Sequence, residues 1–209
     1  MIDYGKPPLD LGQYHPDVGE MMFYLYLPIN IPGQGRAIPE RLEIYRKIIG
    51  RAATDYLTIE GANDDVHVYI TAKTMFVEPG SPGNRPGWHC DGFGSNGDIN
   101  YIWSNMNPTE FAIGDHFKIT DDDSLSMKQM EEQARDAVIK TYPSCTLLRL
   151  DEGVIHRVGE DVVKGVRSFL KITFSEHQFR NKGNSINYLL DYNWNMKPRG
   201  LERNLDHAA

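Results

Sequence analysis

Four residues in this chain have the types and spacing for metal chemistry: His89, Asp91, His156 and Arg167. His89 and Asp91 stand two apart in Trp-His-Cys-Asp-Gly-Phe, residues 88–93. Side chains alternate along an extended strand, so an imidazole and a carboxylate two apart aim at one point. His156, in Val-Ile-His-Arg-Val, is the best candidate for a third ligand. Two histidines and one carboxylate on one face leave coordination positions open and suit non-haem Fe(II). Eleven positions beyond His156 comes Arg167, heading the run Arg-Ser-Phe-Leu-Lys-Ile-Thr-Phe. An arginine buried at a strand start can grip a carboxylate through two parallel hydrogen bonds. A lone His-x-Asp is weak evidence in a chain with seven histidines, whereas the ordered set of four is much stronger.

The elements that must position these residues read as mainly β with flanking helices. Residues 1–20 read as an extended arm, and 21–31 as an apolar, aromatic strand ending near Pro28 or Pro32. Residues 39–55 carry Leu42, Tyr45, Ile48, Ile49 and Ala52 at helical spacing behind Pro39, and this helix buttresses the sheet. Residues 66–77 form a strand with Val66, Val68, Ile70 and Ala72 on one face. His67, Tyr69, Thr71 and Lys73 fall on the other, which is polar enough to line a cavity. His67 is a spare ligand candidate that lacks a paired carboxylate.

The Gly/Pro-rich stretch 78–87 is a loop beside the metal strand, where Arg85 is a candidate contact for an anionic group. Residues 98–105, 144–150, 154–158 and 166–174 read as strands. Residues 121–140 read as an inserted helix capped by Ser126 and Gln129, packing over the sheet, with a lid or an oligomer contact as the competing role. On the last strand Arg167, Phe169, Lys171 and Thr173 share a face, so Lys171 is a candidate for an acidic substrate group. Cys90 points away from the ligands and reads as packing. The aromatic tail from Glu176 docks on the rest, and Pro198, Arg199 and Gly200 look loose.

Bulk properties narrow the class. The 209 residues suit one domain over 1–209, with a core of about 66–174, an N-terminal strand and helix extension and the C-terminal tail. A net charge of −7 disfavours a broad phosphate-binding surface. A nucleobase substrate would need Arg85, Arg149, Arg157 and Lys171 to line one groove. Two cysteines make no disulfide framework, and neither a signal segment nor a long apolar run is present. The expectation is a cytoplasmic protein with a small-molecule substrate, no membrane and no nucleic acid.

With His89-x-Asp91, His156 and Arg167 in that order, the chain resembles the Fe(II)/2-oxoglutarate-dependent oxygenase superfamily over roughly residues 66–174. The resemblance implies a double-stranded β-helix (jelly roll), with Fe(II) on His89, Asp91 and His156. It implies 2-oxoglutarate held at its far carboxylate by Arg167, with Thr109 and Tyr69 as further contacts. A half-buried structural role is the competing reading of Tyr69. The implied reaction is hydroxylation with O2 through a ferryl intermediate, releasing succinate and CO2. Because Asp91 fills the third facial position, hydroxylation or desaturation is favoured over halogenation. One departure is Ser168: many members have Arg-x-Ser, and here alternation turns Ser168 away from Arg167. The alternatives are a hydroxylase of protein side chains or nucleobases, a cupin-like metal-binding protein, and a β-rich protein without metal.

Overall fold

Side-chain alternation on hydrogen-bonded strands sets the layers of this molecule. The computed structural model describes residues 2–59, 62–63, 65–91 and 97–199. The elements begin with β1 (Leu9–Gln13), β2 (Met22–Ile31) and β3 (Gly35–Arg36). A 3-10 turn over Glu40–Tyr45 runs into α1 (Arg46–Tyr56), followed by β4 (His67–Val77), β5 (Ile99–Ser104) and β6 (Thr109–Ile113). Then come α2 (Asp123–Gln133), β7 (Val138–Thr141), β8 (Thr146–Leu150), β9 (His156–Val158) and β10 (Gly165–Ser175).

All strand pairings are antiparallel. One sheet has the order β1-β8-β5-β10-β4-β2-β3 and the other β7-β6-β9. His89 extends the smaller sheet through a bridge to His156, with backbone bonds of 3.0 and 2.9 Å in the two directions. From β4 onward the chain crosses repeatedly between the two layers, and only β6 and β7 are successive in one of them.

β10 is paired on both edges, to β4 and to β5. Its even residues Leu170, Ile172 and Phe174 join Ile70, Ala72, Tyr101, Trp103 and Leu147 in the main core. Leu42, Tyr45, Ile48, Ile49 and Ala52, from the 3-10 turn and α1, cover that core. Burying each large side chain contributes roughly 1.5–3 kcal/mol, so this face holds the helix to the sheet. Asp55 adds a polar tie: it accepts from Tyr101 Oη and Arg149 Nη1, both at 2.9 Å. The odd face of β10 looks toward the small sheet, where Phe169 packs with Ile102, Phe111, Leu148, Leu150 and Val154.

The C-terminal tail lies against β2 and β4. Tyr69 Oη donates to His177 O at 2.9 Å and accepts from Phe179 N at 3.0 Å. Its ring stacks on Phe179 at 4.3 Å, and His67 meets Trp194 edge-on at 5.7 Å. Asn187 Nδ2 donates to Pro28 O and Ala37 O at 2.8 and 2.9 Å. Among the described residues no helix is long and apolar enough to cross a membrane.

Several expectations are corrected here. The N-terminal arm contains β1, which pairs with β8. The stretch contains Asp10 and Gly12, which disfavour a strand locally; pairing with a distant strand overrides that preference. The inserted helix is capped by Asp122, whose carboxylate accepts from Leu125 N at 2.8 Å, and not by Ser126. Gln129 instead accepts from Thr120 N. The helix also stops at Gln133, and Val138 belongs to β7. Gly92 and Phe93, at the end of the His-x-Asp stretch, and Gly200 in the tail lie outside the described residues.

Two outcomes follow from this packing. Asp55→Ala strands Arg149 and leaves Tyr101 without its acceptor, so stability should fall by about 3 kcal/mol in urea unfolding. Burial lowers the pKa of His67, and the carboxylate of Asp65 only partly opposes this. The folded chain therefore prefers the neutral ring, and the stability this gives is complete above the ordinary value of about 6.5. It drains as pH falls below that value, so urea midpoints should decline toward acid. His67→Phe, which keeps the stacked ring, should flatten that decline.

Candidate metal centre

His89 and Asp91 follow a turn at Gly87, whose φ of 85° is the left-handed region that a Cβ disfavours. The bridge to His156 then brings the two imidazoles together, with ring centroids 4.5 Å apart and the ring planes tilted at 54°. Each ring is tethered at Nδ1: His89 to Gly87 O at 2.8 Å and His156 to Val154 O at 3.0 Å. A carbonyl only accepts, so the neutral tautomer that fits both tethers carries its proton on Nδ1 and leaves the lone pair on Nε2. Asp91 Oδ2 lies 3.6 Å from His156 Nε2. One ligand atom from each of the three residues falls within 4.8 Å of the others. His89, Asp91 and His156 could therefore hold a metal ion together.

The local charges favour that state. Burial alone would raise the Asp91 pKa, but Lys171, His156 and His89 outweigh it and hold the carboxyl well below its usual range. Lys171 Nζ sits 2.9 Å from Asp91 Oδ1. Burial would lower the Lys171 pKa, and Asp91 with Tyr26 more than reverses this. Burial, with His156 beside it, pulls His89 down to about 4. At neutral pH the centre thus offers an ionised carboxylate and a neutral His89 imidazole, the protonation states a cation requires.

The three ligands open into a cleft of about 150 Å³. Arg85, Thr109 and Lys171 line it, as do Tyr26, Thr71 and Lys73. Tyr69 does not: the tail covers its ring and occupies its hydroxyl as donor and acceptor. His67 lies with it under Trp194. Arg167 is buried on the same face of β10, and its guanidinium lies 5.1 Å from the ring of Phe169, which does line the cleft. Its Nε donates to Met106 O at 3.2 Å, and Nη1 lies 3.2 Å from the Asn84 amide oxygen in the orientation that satisfies both groups. Nη2 is buried with no partner among the described residues, and burial pushes the pKa down to about 10. Ser168 points to the opposite face, its hydroxyl 3.1 Å from that of Thr74.

Among the four basic residues that a nucleobase groove would need, Arg149 is engaged by Asp55 away from the cleft. Arg157 does line it, but Glu110 and Glu160 already pair with its guanidinium. Cys90 is buried against Met130 of α2, and Arg85 Nη2 contacts Met127 Sδ, so α2 packs over the metal loop. Thr71 and Lys73, which sequence places on the polar face of β4, do line the cleft. Tyr26 gave no sequence signal, because the register shift in β2 that brings it to the cleft is not written in the local pattern.

No protein-family model matches the chain, and no curated protein matches it. One solved structure that it matches is a crystal structure described as an oxidoreductase of the 2OG-Fe(II) oxygenase family, from Burkholderia pseudomallei. The match covers 82% of this chain and 73% of that one, at 12% identity and a TM-score of 0.36.

Calorimetric titration with Mn(II) or Co(II) tests the centre. His156→Ala should weaken binding by at least about 100-fold, since a ligand is lost outright. Lys171→Met should tighten it at least about tenfold by removing a positive charge beside the ion. The same substitution should lower the melting temperature of the metal-free protein, because Asp91 is then buried without its cation.

Proposed function

We propose that this chain is an Fe(II)- and 2-oxoglutarate-dependent oxygenase on a double-stranded β-helix, hydroxylating a small molecule. The observation that carries the reading is Arg167: a buried guanidinium with an unpartnered Nη2, on the strand that also supplies Lys171 to the metal carboxylate. An unpaired buried cation is costly, and an anionic ligand at that point removes the cost. A cupin-like metal protein has no need of it. Support for the jelly roll comes from the strand order. β8-β5-β10-β4 forms one four-stranded layer, and β7-β6-β9 with the His89 bridge forms the facing one.

Iron(II) with 2-oxoglutarate supplies the oxidative chemistry: O2 is consumed, the keto acid yields succinate and CO2, and one oxygen atom enters a substrate C–H bond. The chain's own residues hold the geometry. His89 and His156 present Nε2 lone pairs held inward by their Nδ1 tethers. Lys171 keeps to Asp91 Oδ1, which leaves Oδ2, the oxygen nearer His156, for the cation. Arg167 takes the far carboxylate of the cosubstrate in place of an Arg-x-Ser pair, and Thr109 borders the cleft. Phe169 and Ile102 give it apolar walls that limit water. A carboxylate at the third facial position favours hydroxylation or desaturation over halogenation. The same reading takes residues 1–209 as one domain working in a reducing cytoplasm, where Fe(II) persists.

Anaerobic titration of Fe(II) and 2-oxoglutarate into the metal-free protein should give the weak visible charge-transfer band of the chelate. Arg167→Ala should weaken 2-oxoglutarate about 100-fold, from the loss of two charge-assisted hydrogen bonds. Metal that binds stoichiometrically with no band at saturating 2-oxoglutarate would sink the oxygenase reading and leave a cupin-like metal protein.

A further inference from the structure

Two features that the metal chemistry leaves unused bear on what enters the cleft. The first is charge. Lys73, Arg85, Arg157 and Lys171 line the cleft, and Asp91 is the one carboxylate among the described lining residues. Arg157 is already matched by Glu110 and Glu160. Residues 92–96 are Gly, Phe, Gly, Ser and Asn, so they add no carboxylate. Lys73 Nζ donates to Gly83 O at 3.2 Å, a neutral acceptor. Arg85 meets the sulfur of Met127. Once a cation shares Asp91, Lys171 has only part of that carboxylate, and a dicarboxylate gripped by Arg167 still leaves Arg85 with no carboxylate partner among the described residues of the cleft. Cations in a low-dielectric site call for an anion.

The second feature is Tyr26. The register of β2 against β4 shifts between Tyr24 and Leu27, and Tyr26 adopts a φ of 45°. That left-handed conformation costs an aromatic residue roughly 1–3 kcal/mol, a strain that tends to persist where a site requires it. Its amide donates to Thr71 Oγ1 at 3.1 Å, which anchors the bulge to the cleft wall. Lys171 Nζ lies 5.4 Å from the centre of the Tyr26 ring, and the ring meets Phe179 edge-on at 5.3 Å. Tyr26 thereby lines the cleft and also a second cavity of about 100 Å³, walled by Pro28, Phe179, Ile186, Tyr192 and Trp194. This space is apolar and aromatic, with Asn184 and Asn193 beside it, and it suits one flat ring or a compact alkyl group.

We infer that the two cavities are subsites for one substrate, an organic anion with a flat apolar group. Its negative group pairs with Lys171 and Arg85 in the cleft, and its apolar group enters the tail pocket past Tyr26. Calling this ligand the substrate rests on the oxygenase reading; the binding surface itself does not.

The test uses 3-phenylpropionate, with 3-phenylpropionamide and propionate as controls, on the full chain with and without anaerobic Fe(II) and 2-oxoglutarate. Tryptophan fluorescence reports on the second cavity. Trp194 walls it, while Trp88 and Trp103 are buried elsewhere, and Trp194→Phe should remove the response. The acid should bind at least about tenfold more tightly than the amide or propionate. Arg85→Met and Lys171→Met should each bring the acid toward the amide and leave the amide unchanged. Arg85 is on a loop, so its variant serves if Lys171→Met fails to fold. Tyr26→Gly should weaken both aromatic probes. Equal binding of acid and amide, equal binding of propionate, no saturable response, or displacement of the acid by 2-oxoglutarate would each overturn the inference. If the chelate band is absent while the acid retains its preference, the oxygenase reading fails and the subsites stand. If the band is present without that preference, the inference fails alone.

Discussion

β10 is hydrogen-bonded along both edges, so its side chains have two directions open to them and no third. That constraint organises the rest of the molecule. The direction taken by Leu170, Ile172 and Phe174 is filled by the helix layer and becomes the main core. The direction taken by Arg167, Phe169 and Lys171 cannot be filled in the same way, because two of the three carry charge. The small sheet faces it, and the bridge between His89 and His156 brings the candidate metal ligands to the same space. A core on one face and a cleft on the other are two consequences of one strand's alternation.

Electrostatics then sets the character of the cleft. Backbone carbonyls orient both histidines, and a lysine rather than a second carboxylate completes the shell around Asp91. Lys171 pairs with Asp91, so a cation held by His89, Asp91 and His156 would have to share that carboxylate with a second positive charge. Arg167 sits farther along the same face with part of its guanidinium unmatched. Such a distribution is expensive for a folded chain to keep, and the proposed anionic ligands would relieve that cost.

The C-terminal tail matters because β4 carries both kinds of residue. Thr71 and Lys73 reach the cleft, while Tyr69 and His67, on the same face, lie beneath Phe179 and Trp194. The tail thus closes one end of the polar face and leaves the other open. The bulge at Tyr26 lies at the boundary, and one aromatic ring forms part of both spaces.

Much of this was legible in residues alone. Period-two polarity identified β4 and β10 and assigned their faces, and β5 and β8 were legible as strands. That His89, Asp91 and His156 come together was legible, because metal ligation demands few residue types and the spacing of the first two translates directly into a shared direction. The turning away of Ser168 from Arg167 follows from the same local geometry. What sequence could not settle is every feature that depends on a partner distant in the chain. β1 exists because β8 offers an edge, and Arg149 leaves the cleft because Asp55 of α1 binds it. Tyr69 is covered because the tail returns, and Tyr26 faces inward because a register shift against β4 forces its backbone over. Alternation is a property of each strand by itself, so sequence alone determined it. Pairing, bulges and coverage depend on where other strands lie, and only the tertiary structure decided them.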